Sequence, residues 1–170
     1  MTFVPRVAGA ALVLLTLLCA RAAFAAPCTA PPYHEFDFWL GDWDVFETSG
    51  GPKEARLHVS RTLDGCVVHE IYEQGEERGE SFTIYDAVRR VWHQTWVTNG
   101  GVLLTIEGAR RANGAITMRG VESIPGHGRR RVTGTWEPVG ANVREFAETS
   151  SDGKAWRPWF DITFRRHSAQ

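Results

Sequence analysis

Turn signals recur along this chain at intervals too short for anything but antiparallel β-structure. They are Ser49-Gly50-Gly51-Pro52, Asp64-Gly65, a charged turn through Gly79, Asp86, Asn99-Gly100-Gly101, Asn113-Gly114, the looser Pro125-Gly126-His127-Gly128, residues 138–142 and Ser151-Asp152-Gly153. Glycine and asparagine supply the positive φ that two-residue hairpin turns require. Between the turns lie ten strand-like segments, at residues 42–48, 53–63, 66–74, 81–85, 90–98, 102–110, 115–123, 130–137, 143–150 and 156–166. Connections this short join antiparallel neighbours, because a parallel pair needs a long crossover. Ten sequential antiparallel strands laid flat would leave two open edges, and closing the sheet on itself removes them. The chain is therefore expected to be all-β, an antiparallel up-and-down barrel of about ten strands. A sandwich would more often show a Greek-key crossover. An outer-membrane barrel would carry continuously apolar alternate positions, whereas several strands here carry charges on both faces.

Residues 1–26 read as a signal peptide. Arg6 supplies the positive charge, residues 7–20 form an apolar run, and Ala23-Phe24-Ala25 is a small-x-small cleavage site. The run is shorter than the roughly 20 residues a membrane span needs, and Arg21 interrupts it. The mature chain is expected to begin at Ala26 or Pro27, to form a single domain over 27–170, and to be periplasmic or secreted. Cleavage leaves two cysteines, Cys28 and Cys66. In an oxidising compartment they suggest one disulfide. Their number and spacing match neither a thiol redox site nor a zinc knuckle.

The leader takes two of the 19 basic residues and none of the 20 acidic ones, which leaves a net charge of −3. That is ordinary solubility charge, with no footprint for nucleic acid or an anionic membrane. The cluster Arg129-Arg130-Arg131 reads as a solvated strand start.

An aromatic segment, Phe36-Asp37-Phe38-Trp39-Leu40-Gly41-Asp42-Trp43-Asp44-Val45, runs into the first strand. Its Gly-x-Trp element, Gly41-Asp42-Trp43, is similar to the start of the first strand in lipocalins and related calycin barrels. There the tryptophan closes one barrel end and the glycine lets the chain turn. Together with Leu63-Asp64-Gly65-Cys66-Val67, Ser81-Phe82, Tyr85-Asp86, Trp92-His93-Gln94-Thr95-Trp96-Val97, Glu148-Thr149-Ser150-Ser151-Asp152-Gly153 and Trp156 with the last strand, the chain resembles uncharacterised bacterial exported proteins of the DUF1579 or lipocalin-like kind. The resemblance covers nearly the whole mature chain and implies a lipocalin-like barrel with Trp39, Gly41 and Trp43 closing one end. It carries no activity with it. Haem barrels of the nitrobindin kind use a histidine near the C-terminus, where His167 sits here. Their glycine pattern after the first tryptophan is absent, with Val45 and Phe46 in its place, so no cofactor is expected.

Alternate residues of a strand share a face, so Trp92, Gln94 and Trp96 lie together, two indoles flanking an amide. On an inward face they would suit a planar or amphipathic ligand. In the last strand Trp156, Pro158, Phe160, Ile162 and Phe164 form an apolar row, of which Phe160 and Ile162 are candidate lining, while Trp159 falls on the mixed face. His69 and Glu70 point to opposite faces, and no histidines have a metal-binding spacing. The chain lacks a nucleophile elbow, phosphate loop and zincin motif, so no catalytic residue is assigned. Acid–base chemistry would require a cavity carboxylate with a raised pKa. The expected function is enclosure of a small apolar or amphipathic molecule, without stable membrane insertion. The alternatives are a filled structural or protein-interaction barrel and, less favoured, an isomerase or cyclase.

Overall fold

The computed structural model describes residues 28–168. The leader and its cleavage site lie outside the described residues. Ten strands follow two short 3-10 turns, Pro31–His34 and Asp37–Trp39. They are β1 Gly41–Glu47, β2 Lys53–Thr62, β3 Val67–Gln74, β4 Glu77–Asp86, β5 Val91–Thr98, β6 Leu103–Arg110, β7 Ile116–Ile124, β8 Gly128–Val139, β9 Asn142–Ser150 and β10 Arg157–Arg166. Each pairs antiparallel with its neighbour in sequence. β1 pairs with β10, with Trp43 opposite Arg166 and Val45 opposite Phe164, so the meander closes into a barrel.

Two hairpin turns and one strand end differ from the sequence expectation. The turn expected through Gly79 is shorter. Gln74 pairs with Glu77, so only Gly75 and Glu76 form the loop, and β4 begins at Glu77. Gly79 is a strand residue because the indole of Trp96 occupies the space a side chain would take: a Cβ there would lie 2.1 Å from the ring. The turn expected over 138–142 likewise narrows to Gly140 and Ala141, since Val139 pairs with Asn142. Leu63, expected to end the second strand-like segment, lies in the turn beyond β2 and is 72% exposed.

One end of the barrel is filled. Phe36, Trp39, Trp43 and Trp92 are fully buried. Phe36 meets Trp92 edge-on at 5.0 Å and Trp136 at 5.8 Å, while Trp39 lies 6.2 Å from Phe164. Edge-on and tilted contacts of this kind suit the ring quadrupoles, and the rings themselves bury much apolar surface. Trp43 Nε1 donates to the Trp39 carbonyl at 2.9 Å. From outside, the Arg166 guanidinium lies 3.9 Å from the centre of a Trp43 ring and donates to the Leu40 carbonyl at 2.7 Å. Gly41 is required beneath it, both for its φ of +133° and because a Cβ would lie 1.8 Å from Arg166 Nη1.

The 3-10 turns are held to the barrel by Arg61, which donates to the Asp37 carboxylate at 2.9 Å and the Gly65 carbonyl at 2.6 Å. The Cys28–Cys66 disulfide, with its Cα atoms 5.0 Å apart, fastens the start of the described chain to the β2–β3 turn. Among the described residues no helix is long and apolar enough to cross a membrane.

Candidate functional site

Above the plug, the barrel encloses a cavity of about 320 Å³. Its floor is Trp136, Phe164, Ile106 and Val132, the upper surface of the aromatic plug. Tyr72, Trp96, Leu104, Phe160 and Ile162 form the apolar wall. Six carboxylates also line it: Glu47, Glu54, Glu70, Glu77, Glu122 and Glu145. No Lys, Arg or His among the described residues lines it.

Each of these positions follows from strand alternation. On β3 the inward parity is Val68, Glu70 and Tyr72. On β5 it is Trp92, Gln94 and Trp96, and on β9 Val143, Glu145 and Ala147. Gln94, Trp96, Phe160 and Ile162 therefore meet at one cavity. Trp92 does not join them. It lies at the plug end, where its Nε1 donates to Glu35 at 2.9 Å and its ring meets Phe36 and Tyr85. Two steps of alternation along β5 span the distance from plug to cavity, so a shared face does not mean a shared site.

In β10 the alternation breaks. Pro158 opposes Glu148, and Phe160 opposes Ala147. The extra residue is a bulge, which re-aims side chains. Pro158 is exposed and Trp156 lies before the strand, so the expected five-residue apolar row shrinks to Phe160, Ile162 and Phe164. Trp159, expected on the outer mixed face, instead joins the cavity rim. The Arg130 guanidinium sits 4.0 Å from the centre of its ring and is paired with the buried Glu122 carboxylate.

A hydrogen-bonded polar strip crosses β3, β4 and β5 inside the barrel. Gln94 Nε2 donates to Thr83 Oγ1 at 2.9 Å and to Ser81 Oγ at 3.3 Å, and Ser81 Oγ donates to Glu70 Oε2 at 2.6 Å. Burial pushes the Glu70 carboxyl up to about 7, with the Ser81 hydrogen bond opposing it. Loss of hydration disfavours the charged form more than one hydroxyl restores it. Across the lumen, burial raises Glu145 well above the usual carboxylate range, and the charge of Glu70 raises it further. The Trp136 indole opposes that rise, yet its Nε1 completes no hydrogen bond.

Glu70, Glu122 and Glu145 are the inner carboxylates of the cavity and were not assigned from sequence. The signal was present: each occupies the apolar parity of its strand, where an isolated carboxylate is out of place. The histidines stay outside. His167 pairs with Asp44 at 3.0 Å, and His93 with Glu107 at 3.0 Å. Among the described residues no group of three or more His, Cys, Asp or Glu side chains could hold a metal ion.

No family model and no curated protein matches the chain. The closed ten-stranded antiparallel barrel is consistent with the calycin and lipocalin superfamily in general.

Proposed function

We propose that this protein is an exported container that encloses one small amphipathic molecule in its barrel. The observation that carries this is the 320 Å³ cavity, apolar on one wall and hydrogen-bonded on the other. Wrapping a ligand's carbon skeleton against Trp96, Phe160 and Ile162 would remove apolar area from water at about 25 cal/mol per Å², while Gln94 orients its polar end. The closed plug makes the cavity a preformed site with one way in, so little ordering is needed on binding. The leader, its cleavage near Ala26 and a periplasmic or secreted location belong to the same proposal, as does kinship with the exported barrels of the DUF1579 kind.

The test is native mass spectrometry of the protein purified from the envelope of its own organism. The expected result is a discrete non-covalent adduct on a chain that begins at Ala26 or Pro27. The adduct should be reduced in an Ile162→Trp variant, whose indole takes up part of the lumen. Equal adducts on both proteins would place the molecule outside the barrel and overturn the proposal.

One observation favours a second reading. A buried carboxyl pushed up to about 7, as Glu70 is, is suited to proton transfer in an isomerase or cyclase. Turnover of a trapped molecule that stops in Glu70→Gln would establish it.

A further inference from the structure

Buried carboxylates in proteins are ordinarily paired with a cation or a full set of donors, because the charge is otherwise expelled as a proton. Glu122 follows this rule through Arg130. Glu70 and Glu145 do not. Glu70 has a single hydroxyl donor, Ser81, and no Lys, Arg or His among the described residues lines the cavity to pair with either carboxylate. The two come from opposite sides of the ring, β3 and β9, and face each other closely enough that the charge of one opposes ionisation of the other. Trp136 lines the same cavity and is 2% exposed; its N–H is directed towards Glu145 without completing a hydrogen bond, so the one neutral donor near that carboxyl does not satisfy it. The protein has thus placed two carboxyls in its lumen that only a cationic guest would hold in their charged form.

The rest of the cavity indicates what that is. Trp96 and Tyr72, edge to face with their centroids 6.0 Å apart, stand beside Glu70 on the inner wall. Aromatic faces attract cations, organic ammonium groups especially, and they also pack against hydrocarbon. Glu47, Glu54 and Glu77 ring the rim, so an approaching cation meets attraction from the entrance inwards and an anion meets repulsion. A metal ion would need several carboxylates converging on one point, which the described residues do not provide. An ammonium group on an apolar body needs only one or two and uses the aromatic wall as well.

We infer that the occupant of this barrel is a protonated amine with an apolar body, its ammonium held by Glu70 and Glu145 and its carbon skeleton packed against Tyr72, Trp96 and Phe160. The inference rests on the container proposal and adds the chemical class of the ligand.

Three probes of one chain length test it by titration calorimetry on the mature, disulfide-bonded protein at neutral pH: decylamine, decanol and decanoate. One charge-assisted hydrogen bond in a closed site is worth about tenfold or more in affinity. Decylamine is expected to bind at least about tenfold more tightly than decanol, and decanoate more weakly than either. In Glu70→Gln/Glu145→Gln the advantage of the amine over the alcohol should fall to about twofold or less, with decanol affinity unchanged. The single Glu145→Gln variant, which leaves the hydrogen bond from Ser81 to Glu70 in place, serves if the double variant does not fold, and should lose part of that advantage. Decanol or decanoate binding as tightly as decylamine overturns the inference and leaves the container proposal standing. So does an amine preference that survives undiminished in the variants, since it would then come from groups other than Glu70 and Glu145. No binding of any probe to the folded protein overturns both.

Discussion

Replacing Glu70 with glutamine should stabilise the barrel at pH 8 and leave it nearly unchanged at pH 4. Burial lifts the Glu70 carboxyl from its ordinary 4.5 to about 7 in the folded protein. Below pH 4.5 the group is protonated in both states and costs the fold nothing. As the pH rises, the unfolded chain releases the proton first, so stability falls until the folded carboxyl also ionises near pH 7. A gap of about 2.5 units at 1.36 kcal/mol each amounts to about 3 kcal/mol. Glutamine has nearly the same shape, can accept the Ser81 hydroxyl and never ionises. The variant should therefore gain about 3 kcal/mol at pH 8, a rise in melting temperature of about 10 °C for a domain of this size.

The assay is a set of thermal or urea melts at pH 4, 5.5, 7 and 8 on both proteins. Taking their difference cancels the titrating groups that do not interact with Glu70, which leaves Glu145 as the coupled one. Glu107, held down to about 2 by hydrogen bonds from Arg89 and His93, acts in the opposite sense and in a separate window: its contribution is lost as the pH falls below 4.5. Glu145 is raised as Glu70 is, so the wild type should fall more steeply than Glu70 alone accounts for, and the double glutamine variant should be flatter still. Wild-type and variant melts that run parallel from pH 5 to 8, or a variant destabilised at pH 8, would refute the claim that Glu70 is buried without a counter-charge.

Two further substitutions probe the frame around the cavity. Gly79→Ala places a methyl group 2.1 Å from the Trp96 ring, which must swing into the lumen or force β4 outward; a loss of about 1–3 kcal/mol in melts and weaker uptake of any lumen probe are expected. Cys28→Ser/Cys66→Ser opens a link across 38 residues of chain, and chain-entropy arithmetic gives a loss of about 4 kcal/mol, to be read from denaturant melts of the variant against the oxidised wild type.

The barrel was legible because its turns are. Asn99-Gly100-Gly101 and Asn113-Gly114 can hardly be anything but hairpin corners, and corners this close together dictate antiparallel neighbours and closure. Local chemistry was less readable wherever a tertiary neighbour decided it. Gly79 looked like a turn residue, but its glycine serves an indole two strand positions along on the next strand. The β10 bulge at residues 158–160 has no sequence marker beyond Pro158, and it moved Trp159 from the outer face to the cavity rim. Trp92 and Trp96 share a face and little else, since depth along a barrel is set by where the plug ends. Glu70 and Glu145 stood in apolar parity and could have been read as inward. Their facing across the lumen depends on how β3 and β9 are placed around the closed ring, which spacing alone does not give.

The central claim is that the lumen takes up a molecule, and titration of the mature protein with decanol tests it most directly, because an uncharged probe reports enclosure without electrostatics. One molecule should bind per barrel, with a negative heat-capacity change from buried apolar surface, and Ile162→Trp, which narrows the lumen, should weaken the binding while still melting cooperatively. A wild-type titration with no heat at any temperature, or one that Ile162→Trp leaves intact, would contradict it.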